Sequence, residues 1–172
     1  MGLCAEIQNL SVSFHGRKAV SGINAALPSD GITVLIGRSG SGKTTFLRAL
    51  NRLNETFEGY EGSGSIRLLL GGEMKDICSS GTLNLTELRR KVGMVFQTPN
   101  PLPLSIRRNI MLPLELMLGS GGSEADEKME TALKTTGLWN EVRDRLDTPA
   151  NRLSGGQHQR LCLARALVLE PE

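Results

Sequence analysis

The stretch ITVLIGRSGSGKTTFLRAL, residues 32–50, constrains this chain more than any other. Its first five residues are apolar or β-branched without a break. That is the pattern of a strand covered on both faces. The turn that follows reads G-x-x-x-x-G-K-T, with Gly37, Gly42, Lys43 and Thr44 at the fixed offsets. From Thr44 onward, Phe46, Leu47 and Leu50 recur at helical spacing and predict a helix to Leu53. Strand, glycine-rich turn and helix, in that order, let successive backbone N–H groups converge on a phosphate. The candidate nucleotide-binding residues are Gly37, Arg38, Ser39, Gly40, Ser41, Gly42, Lys43, Thr44 and Thr45. Lys43 brings a compact positive charge to the outer phosphates, and the small Thr44 hydroxyl can ligate Mg²⁺ between them. An ordinary Gly/Ser turn does not need the lysine and threonine at these places.

Around this unit the chain alternates in type. Residues 3–14 alternate as a strand does, with Leu10, Val12 and Phe14 on one side. A second strand is predicted from Val20 to Leu27, and Pro28 to Gly31 close it as a turn. Residues 54–65 carry three glycines and read as a loop, followed by strands at 65–70 and 91–96 with a helical turn at 86–90 between them. Three prolines at 99–103 exclude a helix before Ser105, which can cap one starting at Ile106. Gly119 to Gly122 breaks the chain. A helix from Ser123, acidic in its first turn, runs to Gly137, and a short one spans about 140–146 with Glu141 and Arg145 four apart. Ile106, Ile110, Leu112 and Leu116 form an apolar series that serves either a local core or a partner surface.

A second glycine turn, LSGGQ at 153–157, opens a final helical stretch. Alone it is a weak loop signal. Together with the first turn, Leu153, Ser154, Gly155, Gly156 and Gln157 resemble the signature of the ATP-binding cassette (ABC) ATPases. Gln97, directly after VGMVF, is similar to that family's Q-loop glutamine. Phe14 is similar to its adenine-stacking aromatic, with His15 as the competing candidate because the register does not settle on one residue. The stretches FLRALNRLNE, VFQTPNPLPLSIRRNI and QRLCLARAL narrow the resemblance to phosphate-importer ATP-binding subunits. His158 stands where that family usually writes Gln, and is expected on the helix surface.

The resemblance implies an α/β phosphate-loop NTPase of ABC type, with a mixed sheet core, an antiparallel β subdomain and a helical subdomain. It implies one nucleotide-binding domain over residues 1–172, with a core of about 1–97 and a helical subdomain of about 98–158. Its cofactors would be ATP and Mg²⁺, with Thr44 and Gln97 on the metal and Lys43 and Gln97 serving catalysis. Ser154, Gly155, Gly156 and Gln157 would meet the nucleotide of a second copy arranged head to tail. Integral-membrane permease subunits would be the further partners, at the cytoplasmic face of the membrane. The family's next strand, ending in Asp-Glu, and its switch histidine have no counterpart before Glu172. Neither Glu170 nor Glu172 replaces that Glu, so the full-length protein is expected to hydrolyse ATP, and residues 1–172 alone to bind it but hydrolyse it poorly or not at all. The 32–36 segment is expected to show an unpaired edge. A soluble ABC ATPase acting on nucleic acid or ribosomes is the alternative. A net charge of +2 gives nucleic acid no support. Three dispersed cysteines suggest neither a disulfide framework nor a zinc site.

Overall fold

The computed structural model describes residues 2–79, 84–119 and 121–172, the side chain of residue 118 aside. They divide into two compact units: Met1–Val92 with Glu172, and Gly93–Pro171.

The first unit is built on a four-stranded antiparallel sheet. Its strands are β1 (Leu3–Phe14), β2 (Arg17–Pro28), β3 (Tyr60–Leu70) and β4 (Glu73–Asp76), in the order β2-β1-β3-β4. β1 buries Ala5 and Ile7, then Leu10 and Val12, a change of phase within one strand. The cause is a bulge: Asn9 sits at φ 50°, and the pairing of β1 with both neighbours shifts register there. The extra residue returns Leu10 and Val12 to the core face. β3 alternates cleanly, with Ile66, Leu68 and Leu70 buried. Its first residues overturn the second half of the loop expected at 54–65: pairing with β1 at Phe14↔Tyr60 and Val12↔Gly62 carries the strand through Gly62 and Gly64. A tertiary ladder outweighs their weak strand propensity. Helices α1 (Lys43–Ala49) and α2 (Leu85–Lys91) cover the sheet through Phe46, Ala49 and Leu88. α1 stops short of Leu53. Leu47 is 46% exposed, and the buried stripe passes through Ala49 instead.

The segments expected as strands at 32–36 and 91–96 form none. Ile32 is 93% exposed, Val34 70% and Ile36 92%, and no described strand pairs with them. Lys91 closes α2, and 93–96 runs on without a ladder. A strand exists only through its neighbours, and no described strand pairs with these two. The described sheet is the expected antiparallel β subdomain, no parallel pair joins it among the described residues, and the fold class is α/β.

The second unit is helical: α3 (Ile106–Leu118), α4 (Gly122–Thr135), α5 (Trp139–Val142) and α6 (Gly155–Leu167). Its core contains Ile106, Ile110, Leu114, Leu133, Leu138, Val142 and Leu161, all 0% exposed. Ile106 and Ile110 thus belong to the local core, whereas Leu116 is 74% exposed. Ser105 caps α3 as expected, its Oγ accepting from Arg108 N at 3.2 Å. Gly137 turns the chain at φ 67° just past α4. Asn109, fully buried, is satisfied by the backbone of the proline-rich segment. Its Oδ1 accepts from Leu102 N (2.7 Å), and its Nδ2 donates to the carbonyls of Leu102 (3.2 Å) and Ser105 (2.9 Å).

Candidate nucleotide-binding site

In the first unit, residues 31–41 are exposed throughout, and Gly42 is the N-cap of α1. Gly42 has to be glycine. Its φ is 88°, and a Cβ would lie 2.6 Å from both the Ala19 carbonyl oxygen and Val20 Cγ1 of β2. This packing seats the turn and leaves no side chain to cap the helix. Ser41 N donates to Arg38 O at 3.2 Å and tightens the turn. Lys43 reaches back over it. Its Nζ donates to the carbonyls of Gly37 and Arg38, both at 2.8 Å, and to Ser41 Oγ at 3.4 Å. The ammonium is therefore held at the centre of the turn by neutral acceptors. A phosphate oxygen would compete well for it, because it meets the ammonium with a full opposite charge where the carbonyls offer only dipoles. Thr44 is exposed at the head of α1, and Thr45 is anchored through its carbonyl by Asn54 Nδ2 at 2.8 Å.

The two aromatic candidates separate. Phe14 is half-buried against the edge of the sheet unit's core, its ring 6.1 Å from those of Phe57 and Tyr60. His15 is exposed at φ 49°, and its backbone N–H is fixed by Gly59 O at 2.8 Å.

The second unit holds Gln97 and the signature residues. Gln97 is exposed, and the carbonyl of its neighbour Phe96 accepts from Gln159 Nε2 on α6 at 3.4 Å. Leu153 is buried and anchors the turn, while Ser154, Gly155 and Gly156 are exposed. Ser154 is the N-cap of α6 in a reciprocal capping box: Ser154 N donates to Gln157 Oε1 at 2.9 Å, and Gln157 N donates to Ser154 Oγ at 3.4 Å. The sequence missed what lies behind it. Glu141 accepts from Gln157 Nε2 and from Arg160 Nη1, each at 2.7 Å. Its expected partner Arg145 instead donates to the Glu141 backbone carbonyl. Residues 16 and 19 apart leave no trace in local spacing. His158, expected on the surface, is half-buried with its Nε2 2.8 Å from Ala150 O. A short 3₁₀ turn at Ala150–Arg152 brings that carbonyl to the helix.

Glu172 accepts from Lys91 Nζ at 2.7 Å and Gly71 N at 2.6 Å, and Glu170 lies 3.4 Å from Lys128 Nζ. Both carboxylates are engaged structurally. Among the described residues no three His, Cys, Asp or Glu gather to hold a metal. Thr44 and Gln97, one in each unit, each offer only a neutral oxygen, so Mg²⁺ held by either would need anionic phosphates to complete its shell.

An antiparallel sheet beside a phosphate loop, with a helical unit carrying LSGGQ at a helix start, defines a phosphate-loop nucleotide-binding protein. The chain belongs to the ABC transporter family, whose model matches residues 20–172. It is 46% identical over 166 residues to the "Phosphate import ATP-binding protein PstB" of Borreliella burgdorferi, and equally so to that of Borrelia garinii subsp. bavariensis. The match covers 96% of this chain and 62% of those relatives' length. Among solved structures, CbiO1 from Clostridium perfringens, part of the ABC transporter complex CbiONQ, aligns with 99% of this chain and 63% of its own, at a TM-score of 0.74 and 26% identity. An ATP-bound bacterial Atm1-family ABC exporter aligns with 97% of this chain and 28% of its own, at a TM-score of 0.76 and 26% identity.

Proposed function

We propose that these residues form part of an ATP-binding subunit that drives import of a solute, phosphate in the first instance, across a membrane. Residues 37–45 hold the triphosphate, with Lys43 moving from its loop carbonyls to the outer phosphates. His15, exposed beside a half-buried Phe14, is the ring that stacks on adenine. Thr44 and Gln97 are the residues that would ligate Mg²⁺, which would supply charge neutralisation on the phosphates. The signature turn serves a second copy. Its exposed Ser154 hydroxyl and the Gly155 and Gly156 N–H groups at the start of α6 donate to the γ-phosphate bound there. ATP then joins two copies head to tail. Loss of the γ-phosphate removes contacts that exist only in the closed pair, so hydrolysis opens it. Both units act as one nucleotide-binding domain, peripheral on the cytoplasmic side and docked on permease subunits. No helix among the described residues is long and apolar enough to cross a membrane.

One observation carries this reading: the chain presents two glycine-bearing helix starts of different chemistry, one with a lysine after its glycine cap and one with an exposed serine as its cap. Two substitutions test it in a protein of the relatives' full length bearing this sequence. Lys43→Ala should weaken ATP binding by at least about tenfold, the equivalent of roughly 1.4 kcal/mol. Cysteines at Ser39 and Ser154 should crosslink between copies only with Mg-ATP. An unchanged titration, or crosslinks indifferent to ATP, refutes it. Recovery with nucleic acid or ribosomes, and not with a permease, would favour a soluble ABC ATPase.

A further inference from the structure

The capping box of α6 has a supporting residue outside the helix. A glutamine amide can sit in either of two orientations that fill nearly the same space. Only one makes the cap: Oε1 must face Ser154 N, because the amide NH₂ there would oppose donor to donor. The orientation is settled at the far end of the amide. Gln157 Nε2 meets Glu141 Oε2 at 2.7 Å, and a carboxylate accepts but does not donate. The other carboxylate oxygen, Oε1, takes Arg160 Nη1 at 2.7 Å, and the same nitrogen donates to Gly137 O at 2.9 Å. Glu141 therefore grips two side chains three residues apart on α6. Its own base is firm: Leu138, the N-cap of α5, and Val142, its last residue, are 0% exposed in the helical core, and Glu141 N donates to Leu138 O at 3.0 Å.

We infer that Glu141 is a positioning residue for the signature turn, fixing the Gln157 amide so that Ser154 keeps its hydroxyl proton for an external acceptor. The inference rests on the proposal that Ser154 meets a triphosphate. The steps are local. Gln157 Oε1 occupies Ser154 N–H. Gln157 N donates to the lone pairs of Ser154 Oγ. What remains of the serine is one O–H donor, at an exposed position on the first turn of a 13-residue helix. With the amide flipped, Ser154 N–H loses its acceptor and the turn is free to re-form around another arrangement. The bond to Arg160, and then that to Gln157, hold the Glu141 carboxyl below the usual carboxylate range, so it stays an acceptor at neutral pH. This also changes the role of Gln157: its oxygen serves the cap and its nitrogen serves Glu141, so its contribution to the nucleotide is indirect.

The test is an exchange of partners, made in a protein of the relatives' full length bearing this sequence. Glu141→Ala removes the acceptor. Gln157→Glu sets two carboxylates against each other. The double variant Glu141→Gln with Gln157→Glu restores one donor and one acceptor with their direction reversed, and leaves an oxygen for Ser154 N. Each single variant should lower kcat for ATP hydrolysis by about fivefold with KM changed less than about twofold, and the double should recover to within about twofold of the parent. Amide exchange at Ser154 should quicken in the singles and slow again in the double. A purely structural role for Glu141 would lower thermal stability and kcat together and show no recovery in the exchange, which overturns the inference. Ser154→Ala is the reference. If it lowers kcat while Glu141→Ala does not, Glu141 has no positioning role and the signature reading stands. If Ser154→Ala is itself silent, the signature reading fails.

Discussion

Gly42→Ala probes the joint between the phosphate loop and the sheet, and its cost can be worked from the coordinates. Two separate penalties apply. Gly42 sits at φ 88°, where an alanine loses about 1–2 kcal/mol. The added Cβ would also stand 2.6 Å from the Ala19 carbonyl oxygen and 2.6 Å from Val20 Cγ1. Both atoms belong to β2, which the ladder to β1 holds in place. Overpacking of this kind costs a further 1–3 kcal/mol, roughly. The sum, about 2–5 kcal/mol, is a large part of the stability of a domain this size. Gly40→Ala is the control. Its φ is 78°, yet nothing lies within 4 Å of the new Cβ, so only the backbone term, about 1–2 kcal/mol, applies. The difference between the two is the clash alone. Val20→Ala removes the methyl but not the carbonyl, so combined with Gly42→Ala it should recover part of the loss, on the order of 0.5–1 kcal/mol. Urea denaturation at constant m-value measures all four chains. If Gly42→Ala is no worse than Gly40→Ala, β2 does not seat the loop and the packing argument fails.

Two further outcomes follow from exposure and charge. Replacing Ile32, Val34 and Ile36 with Thr or Ser should improve the solubility of this chain while shifting the urea midpoint by no more than the equivalent of about 0.5 kcal/mol, since these side chains bury almost nothing; a marked loss of stability would show that they pack. The Glu172 carboxyl is held below the usual carboxylate range, first by its bond to Lys91 Nζ and then by the Gly71 N–H. A lowered folded pKa means that its contribution is present above the unfolded value, near 4.3, and is lost as pH falls through the folded one. Glu172→Gln should therefore flatten the stability profile below pH 4 relative to the parent, as followed by urea midpoints; parallel profiles would refute the contact.

How much of this was legible beforehand depended on the range over which each feature is decided. The two glycine turns, the Ser105 cap and the stop at Gly137 are set by residues within a turn of one another, so spacing revealed them. The bulge at Asn9 escaped notice because it belongs to a pair of ladders rather than to one strand. Leu47 and Ala49 exchanged roles for the same reason: helical spacing identifies a stripe, but the neighbour decides which edge of it is buried.

The sequence by itself determined the chemistry available: a lysine inside a glycine turn, a serine at the head of a helix, and the family to which both belong. Those depend on residue type and local offset, which are fixed along the chain. Only the tertiary structure decided how the two rings sit, Phe14 half-buried against Phe57 and Tyr60 and His15 exposed. It also decided that 32–36 makes no strand, and that Glu141 turns to Gln157 and Arg160 instead of Arg145. Strand pairing, ring packing and side-chain acceptors are settled by groups far apart in sequence, and local spacing carries no record of them.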